Sequence, residues 1–179
     1  MAMSKILLVY SSVYGLSKRI CETLQAHLAR EGDSIEVRAI ADESVDPSAY
    51  DAIVVGASIR QGKHNPNVMA FVQKHLALLQ SKPSAFFSVN LVARKPHKNT
   101  PETNPYLQRF LASCPWKPRL LGVFAGELDY SRYGPVERRM MQFVMWINKG
   151  PTDPKTRVQF TNWSEVERFA GRVEALAHA

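Results

Sequence analysis

The sequence predicts an α/β fold, a three-layer sandwich in which helices cover both faces of a five-stranded parallel sheet. Several short apolar runs lack any polar alternation, which is typical of strands that are buried on both faces. Segments with helical spacing of apolar residues separate these runs, and this alternation indicates parallel strands joined by helical crossovers. We expect one domain over residues 1–179.

The first half of the chain supplies three predicted strands and one long helix. KILLVY and DAIVVGAS are almost wholly apolar and predict central strands, whereas SIEVRAI alternates and predicts a strand nearer the edge. A helix is predicted from Leu16 to Arg30, with Gly32 as its C-terminal stop. The apolar stripe of this helix consists of Leu16, Ile20, Leu24 and Leu28.

The middle of the chain continues the same alternation. Asn65 and Pro66 occupy preferred positions at the start of a helix. The residues that this helix is expected to bury are Val68, Phe71, Val72, Leu76 and Leu79. SAFFSVN predicts the fourth strand, a helix follows from about Tyr106 to Cys114, and LLGVFAG predicts the fifth strand.

A long insertion, approximately residues 127–158, separates the fifth strand from a closing helix predicted from about Trp163 to Ala177. Connections of this length inside a compact domain are usually functional. Residues Pro135 to Lys149 predict a helix that is apolar around much of its circumference. This helix could pack on the core, lie on a membrane or form the lip of an apolar substrate pocket, and the sequence leaves these alternatives open.

The formal charge of +7 is concentrated between Arg94 and Arg119, where six basic residues occur with a single acid, Glu102. A basic region favours an anionic membrane surface or an acidic small molecule. The lack of interleaved aromatic residues and of a nucleic-acid motif argues against nucleic acid. No group of His, Cys and acidic residues has metal-site spacing, and Cys21 and Cys114 are predicted to be core residues.

The stretch SSVYGLS, Ser11 to Ser17, joins the first strand to the first helix and is named the phosphate loop. Its hydroxyls, its backbone amides and the positive end of the helix dipole would all favour a phosphate group. Gly15 would permit close approach of an anion or a positive φ. The alternative is an ordinary turn in which Ser17 is the N-cap. Neither GxGxxG nor GxxxxGKS/T occurs after this strand, which excludes a classical dinucleotide fingerprint and a P-loop.

Doubly wound sheets bind ligands beyond the carboxyl ends of the strands, where the strand order reverses. This rule brings the phosphate loop together with two further loops, Ser58–His64 and Ser88–Lys95, which we name the ring loops. A phosphate in the first loop and a flat ring between the other two describe flavin mononucleotide, FMN. The predicted FMN-binding residues are Ser11, Ser12, Val13, Tyr14, Gly15, Leu16, Ser17, Ser58, Ile59, Arg60, Gln61, Gly62, Ser88, Val89, Asn90, Leu91, Val92, Ala93 and Arg94.

Longer stretches of the sequence resemble a known family. SSVYGLS is similar to the phosphate loop of flavodoxins, with Ser12, Gly15 and Ser17 at the matching positions, although Val13 and Tyr14 stand where polar residues are usual. GASIRQGKH, PSAFFSVNLVARKPHKNTPETNPY and the late TNW more specifically resemble the bacterial menaquinone-dependent protoporphyrinogen oxidases, which are flavodoxin-like. The likeness covers nearly the whole chain, including the insertion.

This resemblance implies a flavoenzyme of haem biosynthesis, bound peripherally to the cytoplasmic face of the inner membrane. With FMN as cofactor, it would oxidise protoporphyrinogen IX to protoporphyrin IX and pass the electrons to menaquinone or another quinone. Basic loop residues would then anchor the substrate carboxylates, and we expect Arg60, Arg94 and Lys95 in this role. His64 and His97 are candidate proton acceptors, although each of these side chains could simply be solvated, and no catalytic base is unambiguous.

Two other functions remain open on the same predicted fold. A flavodoxin would carry electrons between protein partners without transforming a substrate. Such carriers are typically acidic, and a sequence pI of about 9.6 argues against this class. An NAD(P)H:quinone reductase would also fit, because nicotinamide sites on this fold leave little trace in the sequence.

Overall fold

The computed structural model describes residues 2–179, with helices packed on both sides of a central sheet. The strands are β1 (Lys5–Ser11), β2 (Ser34–Ala39), β3 (Ala52–Arg60), β4 (Lys63–His64), β5 (Ser84–Asn90), β6 (Leu120–Ala125), β7 (Glu127–Asp129) and β8 (Arg157–Gln159). The helices are α1 (Leu16–Arg30), α2 (Pro66–Lys74), α3 (Leu76–Ser81), α4 (Pro105–Ser113), α5 (Pro135–Ile147) and α6 (Trp163–Ala177). The predicted α/β class is confirmed.

The central sheet has six strands, so the predicted number of five is wrong. β2, β1, β3, β5 and β6 lie side by side in that order and are parallel. The sixth strand, β4, pairs antiparallel with the end of β3, within a segment that was predicted to be a loop. Gln61 and Gly62 both have positive φ, 52° and 79°, which is the backbone of a tight hairpin turn. The turn therefore allows the two residues of β4 to extend the sheet at the carboxyl end of β3.

Helices α1 and α6 cover one face of the sheet, and both have the bounds that the sequence predicts. The predicted stripe of α1 is fully or almost fully buried, and so is the apolar face of α6. Gly32 follows α1 with a φ of 96°, a left-handed conformation that ends the helix where predicted. The phosphate loop connects β1 directly to α1. The packing of α1 on this face of the sheet therefore fixes the position of the loop.

Helices α2, α3 and α4 cover the other face. Asn65 caps α2 by accepting a hydrogen bond from the amide of Asn67, and Pro66 occupies the first turn, as predicted. The predicted single helix through Leu79 is wrong, because His75 leaves the helical conformation and divides it into α2 and α3. Val68, Val72 and Leu79 are nevertheless buried as expected, since both short helices keep the same face on the sheet.

The insertion folds as a small unit on the edge of the domain. β7 and β8 pair antiparallel, and α5 lies between them in the sequence. Leu128, Tyr130, Tyr133 and Met145 form the core of this unit. Lys149 takes a positive φ of 56°, which ends α5 two residues before the predicted end. Within residues 2–179, no helix has the length and apolar character needed to cross a membrane.

Candidate functional site

A cavity of about 410 Å³ lies at the carboxyl ends of β1, β3 and β5. The phosphate loop, both ring loops and the insertion contribute to its wall. The structure therefore places around one space the three loops that the sheet topology predicted to meet. The members of the predicted FMN-binding set that line it are Ser12, Val13, Tyr14, Leu16, Ser58, Ile59, Arg60, Gln61, Gly62, Val89, Asn90, Leu91, Val92 and Arg94.

The rest of the predicted set lies behind this wall: Ser11, Gly15, Ser17, Ser88 and Ala93. Several of these residues hold neighbouring elements together. The Ser11 hydroxyl donates to Oδ1 of Asn67 at the start of α2, over 3.1 Å. The amide of Ala93 donates to Oδ1 of Asn90, which shapes the second ring loop. Through these hydrogen bonds, Ser11 and Ala93 support the cavity from behind.

The phosphate loop has the backbone of an anion-binding turn. Gly15 has a φ of 88° and its amide donates to the Ser12 hydroxyl oxygen over 2.9 Å. The first backbone hydrogen bond of α1 runs from Arg19 to the Gly15 carbonyl. The amides of the preceding helical residues have no partner within the helix, and they carry the positive end of its dipole. This end of α1 is thus suited to a phosphate group.

Within residues 2–179, two buried hydroxyls at the site have no hydrogen-bond partner. The Oγ atoms of Ser17, in the first turn of α1, and of Ser58, near the end of β3, are both without one. Buried hydroxyls are normally satisfied, so such atoms call for an explanation. A polar ligand reaching both the phosphate loop and the first ring loop would provide their partners. The residues present therefore fit a phosphorylated ring compound such as FMN.

A buried amide network supports the second ring loop. The side chains of Asn90 and Asn104 exchange two hydrogen bonds, of 2.9 and 3.1 Å. Asn104 also caps α4 by accepting from the amide of Leu107, and it donates to the carbonyl of Lys98. Asn90 donates to the Ser88 hydroxyl at 3.1 Å. Because Asn90 lines the cavity, this network fixes one wall of the site from behind.

His64 belongs to the same buried region and lies off the cavity wall. Its Nε2 is 2.8 Å from the Ser88 hydroxyl, and its ring contacts the edges of Phe86 and Phe110. Burial lowers the pKa of His64 to about 4, so the ring is neutral near pH 7.

The remaining candidates divide between the cavity and its surroundings. Arg60 and Arg94 line the cavity, whereas Lys95 and His97 do not. Lys95 donates to Oδ1 of Asn148 over 3.3 Å, and desolvation, followed by the neighbouring positive charges, lowers the pKa of Lys95. His97 is exposed in a turn beyond the second ring loop. The structure thus brings together the two arginines and leaves both histidines outside.

The insertion contacts all three loops. Arg60 at the end of β3 pairs with Glu137 of α5, with nitrogen–oxygen distances of 3.3 and 3.4 Å. Arg94 of the second ring loop donates to the carbonyl of Asn148 over 2.9 Å. Arg132 donates to the carbonyl of Tyr14 in the phosphate loop over 3.1 Å. These contacts make the insertion the outer wall of the cavity.

The insertion places on the cavity wall a set of residues that the sequence did not predict. They are Gly126, Glu127, Asp129, Arg132, Tyr133, Glu137, Met140, Met141, Val144, Met145 and Asn148, together with Tyr106 from α4. The length of the insertion was the available signal. The sequence could not show which side of α5 faces inward, because apolar residues surround that helix.

A turn suited to a phosphate group, followed by two loops around one cavity on a doubly wound parallel sheet, is the arrangement of flavodoxin-type proteins. The family model described as "Flavodoxin domain" matches residues 7–155.

Curated relatives narrow this class further. The protoporphyrinogen IX dehydrogenase (quinone) of Escherichia coli strain K12 is 39% identical over 173 residues, which cover 96% of each chain. The protein of the same name from Leishmania major is 40% identical over 177 residues, covering 96% of this chain and 75% of that one. The chain therefore belongs to the flavodoxin-domain family and, within it, to the quinone-dependent protoporphyrinogen IX dehydrogenases.

Solved structures agree with the fold. A flavodoxin from the domain Archaea superposes with a TM-score of 0.54 at 16% identity, over 98% of this chain and 99% of that one. The two-electron reduced flavodoxin of Megasphaera elsdenii also gives a TM-score of 0.54, at 14% identity over 97% and 99% of the two chains. The flavodoxin-like architecture is thereby established.

Proposed function

We propose that this protein oxidises protoporphyrinogen IX to protoporphyrin IX with bound FMN, and that a quinone, menaquinone in particular, accepts the electrons. This reaction would serve haem biosynthesis. The observation that carries the proposal is the 39% identity over 96% of both chains, which takes in the ring loops and the insertion as well as the phosphate loop. An electron carrier would need none of the covered cavity that the insertion creates.

FMN is the flavin that the residues favour. The phosphate would lie at the free amides of α1 beside Ser12 and Ser17, and the ring between the two ring loops near Ser58 and Asn90. Bound flavin supplies the redox chemistry by accepting two electrons as a hydride. The protein's part is to position the substrate and to exclude water from the cavity.

Arg60 and Arg94 are the proposed anchors for the two substrate carboxylates. Both guanidinium groups lie on the cavity wall, and arginine binds carboxylates through paired hydrogen bonds. The Nε of Arg94 is buried without a partner, so this group retains an unused donor. Lys95 and His97 lie farther out and would contribute positive or polar surroundings rather than direct contacts.

We also propose that the outer face of α5 rests on an anionic membrane, at the cytoplasmic face of the inner membrane. Phe143 and Trp146 expose 59% and 70% of their surface, and Met140 and Ile147 are exposed beside them. The exposed basic side chains of Arg139 and Lys149 accompany this face. Aromatic and apolar residues next to positive charges favour the boundary of an anionic bilayer. A quinone dissolved in the bilayer would then be close to the cavity.

The test is turnover by FMN-loaded protein with a menaquinone analogue, followed by the fluorescence of protoporphyrin. The rate without enzyme must be subtracted, because porphyrinogens oxidise spontaneously. We expect a rate that requires both FMN and the quinone. A rate equal to the spontaneous one, together with oxidation of NADH in the same assay, would instead favour the reductase.

A further inference from the structure

The insertion places three carboxylates on the cavity wall, those of Glu127, Asp129 and Glu137. Dehydrogenation of a porphyrinogen removes a hydride from carbon and also a proton, so the reaction needs a proton acceptor near the substrate. Within residues 2–179, no histidine lines the cavity. The three acidic side chains of the insertion are therefore the candidates for the proton acceptor.

Two of these acids are held by several other groups. Asp129 accepts from the amide and the hydroxyl of Ser131 and lies 3.3 and 3.4 Å from Arg132 and Arg157. These hydrogen bonds, and then the positive charges, hold the pKa of Asp129 below its usual range. Glu127 accepts from Arg19 at 2.8 Å and lies 3.5 Å from Arg132. Each of these two carboxylates is thus held by two arginines.

Glu137 is paired with fewer charged groups within residues 2–179. Its ion pair in the described part of the chain is with Arg60, at 3.3 Å, and the Arg60 side chain is 50% exposed. The Glu137 side chain itself is only 16% exposed, and Glu137 lines the cavity. The other titratable groups that face it are Tyr14 from the phosphate loop and Tyr133 before α5. Neither phenol supplies a positive charge.

We propose that Glu137 is the proton acceptor of the oxidation, an inference that rests on the proposed function. In the first dehydrogenation, the C–H bond of a bridging carbon breaks and its electron pair leaves with the hydride for the flavin. The N–H bond of a pyrrole breaks, its proton passes to Glu137, and its electron pair becomes part of the new double bond. The two electrons that the substrate loses would pass by way of the bound flavin to the quinone.

The pairing with Arg60 couples proton transfer to substrate binding. Arg60 is also a proposed anchor, so a substrate carboxylate would compete with Glu137 for the same guanidinium. A carboxylate that loses its counter-charge binds a proton more readily. Glu137 would thus become an effective acceptor only when the substrate is in place.

The first experiment measures proton uptake on binding of the product, protoporphyrin IX, to the FMN-loaded protein in weakly buffered solution with an indicator dye. We expect uptake by the wild type and none by Glu137→Gln. Product fluorescence and flavin fluorescence should show that the variant binds both molecules within about twofold of the wild type, because the substitution keeps the shape of the side chain. Equal uptake by both proteins would overturn the proposal.

The second experiment compares pH–rate profiles. Glu137→Gln should lower kcat at least about 100-fold, the size expected for loss of a general base, and should abolish the fall in rate on the acid side. Glu137→Asp should recover part of the rate. Glu43→Gln removes an exposed carboxylate that lies outside the cavity wall and should retain both the rate and the profile.

The variant Arg60→Gln distinguishes a Glu137 that accepts a proton from a Glu137 that only holds the insertion in place. It breaks the same ion pair but leaves the carboxylate, so it should raise KM and keep the acid limb of the kcat profile. Equal losses of kcat in Arg60→Gln and Glu137→Gln, with unchanged profiles, would show that Glu137 only fastens the insertion. An inactive wild type would instead refute the proposed function, which the turnover assay decides first.

Discussion

The carboxylate of Glu137 in α5 lies 3.3 Å from a guanidinium nitrogen of Arg60 at the end of β3. This ion pair joins the insertion to the first ring loop at the mouth of the cavity. It links two parts of the chain that are 77 residues apart, and both residues line the same space.

The Arg60–Glu137 pair should matter more for the position of the insertion than for global stability. Half-exposed pairs contribute about 0.2–1 kcal/mol, so Arg60→Gln should lower the free energy of unfolding by less than about 1 kcal/mol. Amide hydrogen exchange in residues 135–147 should nevertheless become faster. Unchanged exchange there would show that other contacts hold α5 in place.

The Ser17 hydroxyl should contribute to binding of the FMN phosphate, because it is buried without a partner at the start of α1. Ser17→Ala should weaken FMN about tenfold, which corresponds to one charge-assisted hydrogen bond of about 1.4 kcal/mol. Riboflavin lacks the phosphate and is the matched control ligand. An equal loss of affinity for riboflavin would mean that the substitution disturbs the fold of the loop instead.

His64 should make the folded state sensitive to acid. Burial lowers the pKa of His64 from 6.5 to about 4, so between these values the unfolded chain binds a proton that the folded protein does not. Stability should therefore fall as the pH decreases through this range, by about 2 kcal/mol between pH 7 and pH 5. Urea unfolding of wild type and His64→Gln at both pH values would measure this, and the loss should be smaller in the variant. Identical losses would contradict the assignment.

Asn104 should stabilise both α4 and the second ring loop. Asn104→Ala removes the helix cap and leaves the buried amide of Asn90 without its partner, at a cost of about 2–3 kcal/mol. The exposed Asn99 in the same connection provides the control, and Asn99→Ala should cost less than about 0.5 kcal/mol. Urea midpoints of the two variants compare these costs directly, and equal midpoints would refute the role of the network.

The exposed face of α5 should govern membrane binding. Replacing Phe143 and Trp146 by serine should reduce binding to anionic vesicles at least about tenfold, since two large apolar side chains would no longer enter the bilayer boundary. Met3→Ser alters an exposed apolar residue elsewhere and should have no effect. Binding by the wild type should decrease with added salt. Equal co-sedimentation of the three proteins would exclude this surface.

Much of the fold was predictable because local and tertiary signals agree. In α1 and α6 the apolar stripe coincides with the buried face, and both helices have the predicted bounds. β4 was missed because two residues carry no periodicity and the turn depends on a positive φ at Gln61. The break at His75 was missed because the apolar spacing continues across it.

The loop residues of the candidate site could be predicted from the sequence, whereas its outer wall could not. Sheet topology dictates where the phosphate loop and the ring loops meet, so their residues could be named from the sequence. The outer wall depends on how α5 docks, and its apolar residues point both ways, with Met145 buried and Trp146 exposed. The sequence therefore did not indicate that Glu137 belongs to the site, and only the structure shows it beside Arg60.

The central claim is tested most directly by an anaerobic half-reaction. FMN-loaded protein is mixed with protoporphyrinogen IX, and the flavin absorbance is followed before and after addition of a menaquinone analogue. The proposed function predicts bleaching by the substrate at a rate above that of free FMN, and recovery of the absorbance on adding the quinone. Flavin that stays oxidised in the presence of bound porphyrinogen would contradict it.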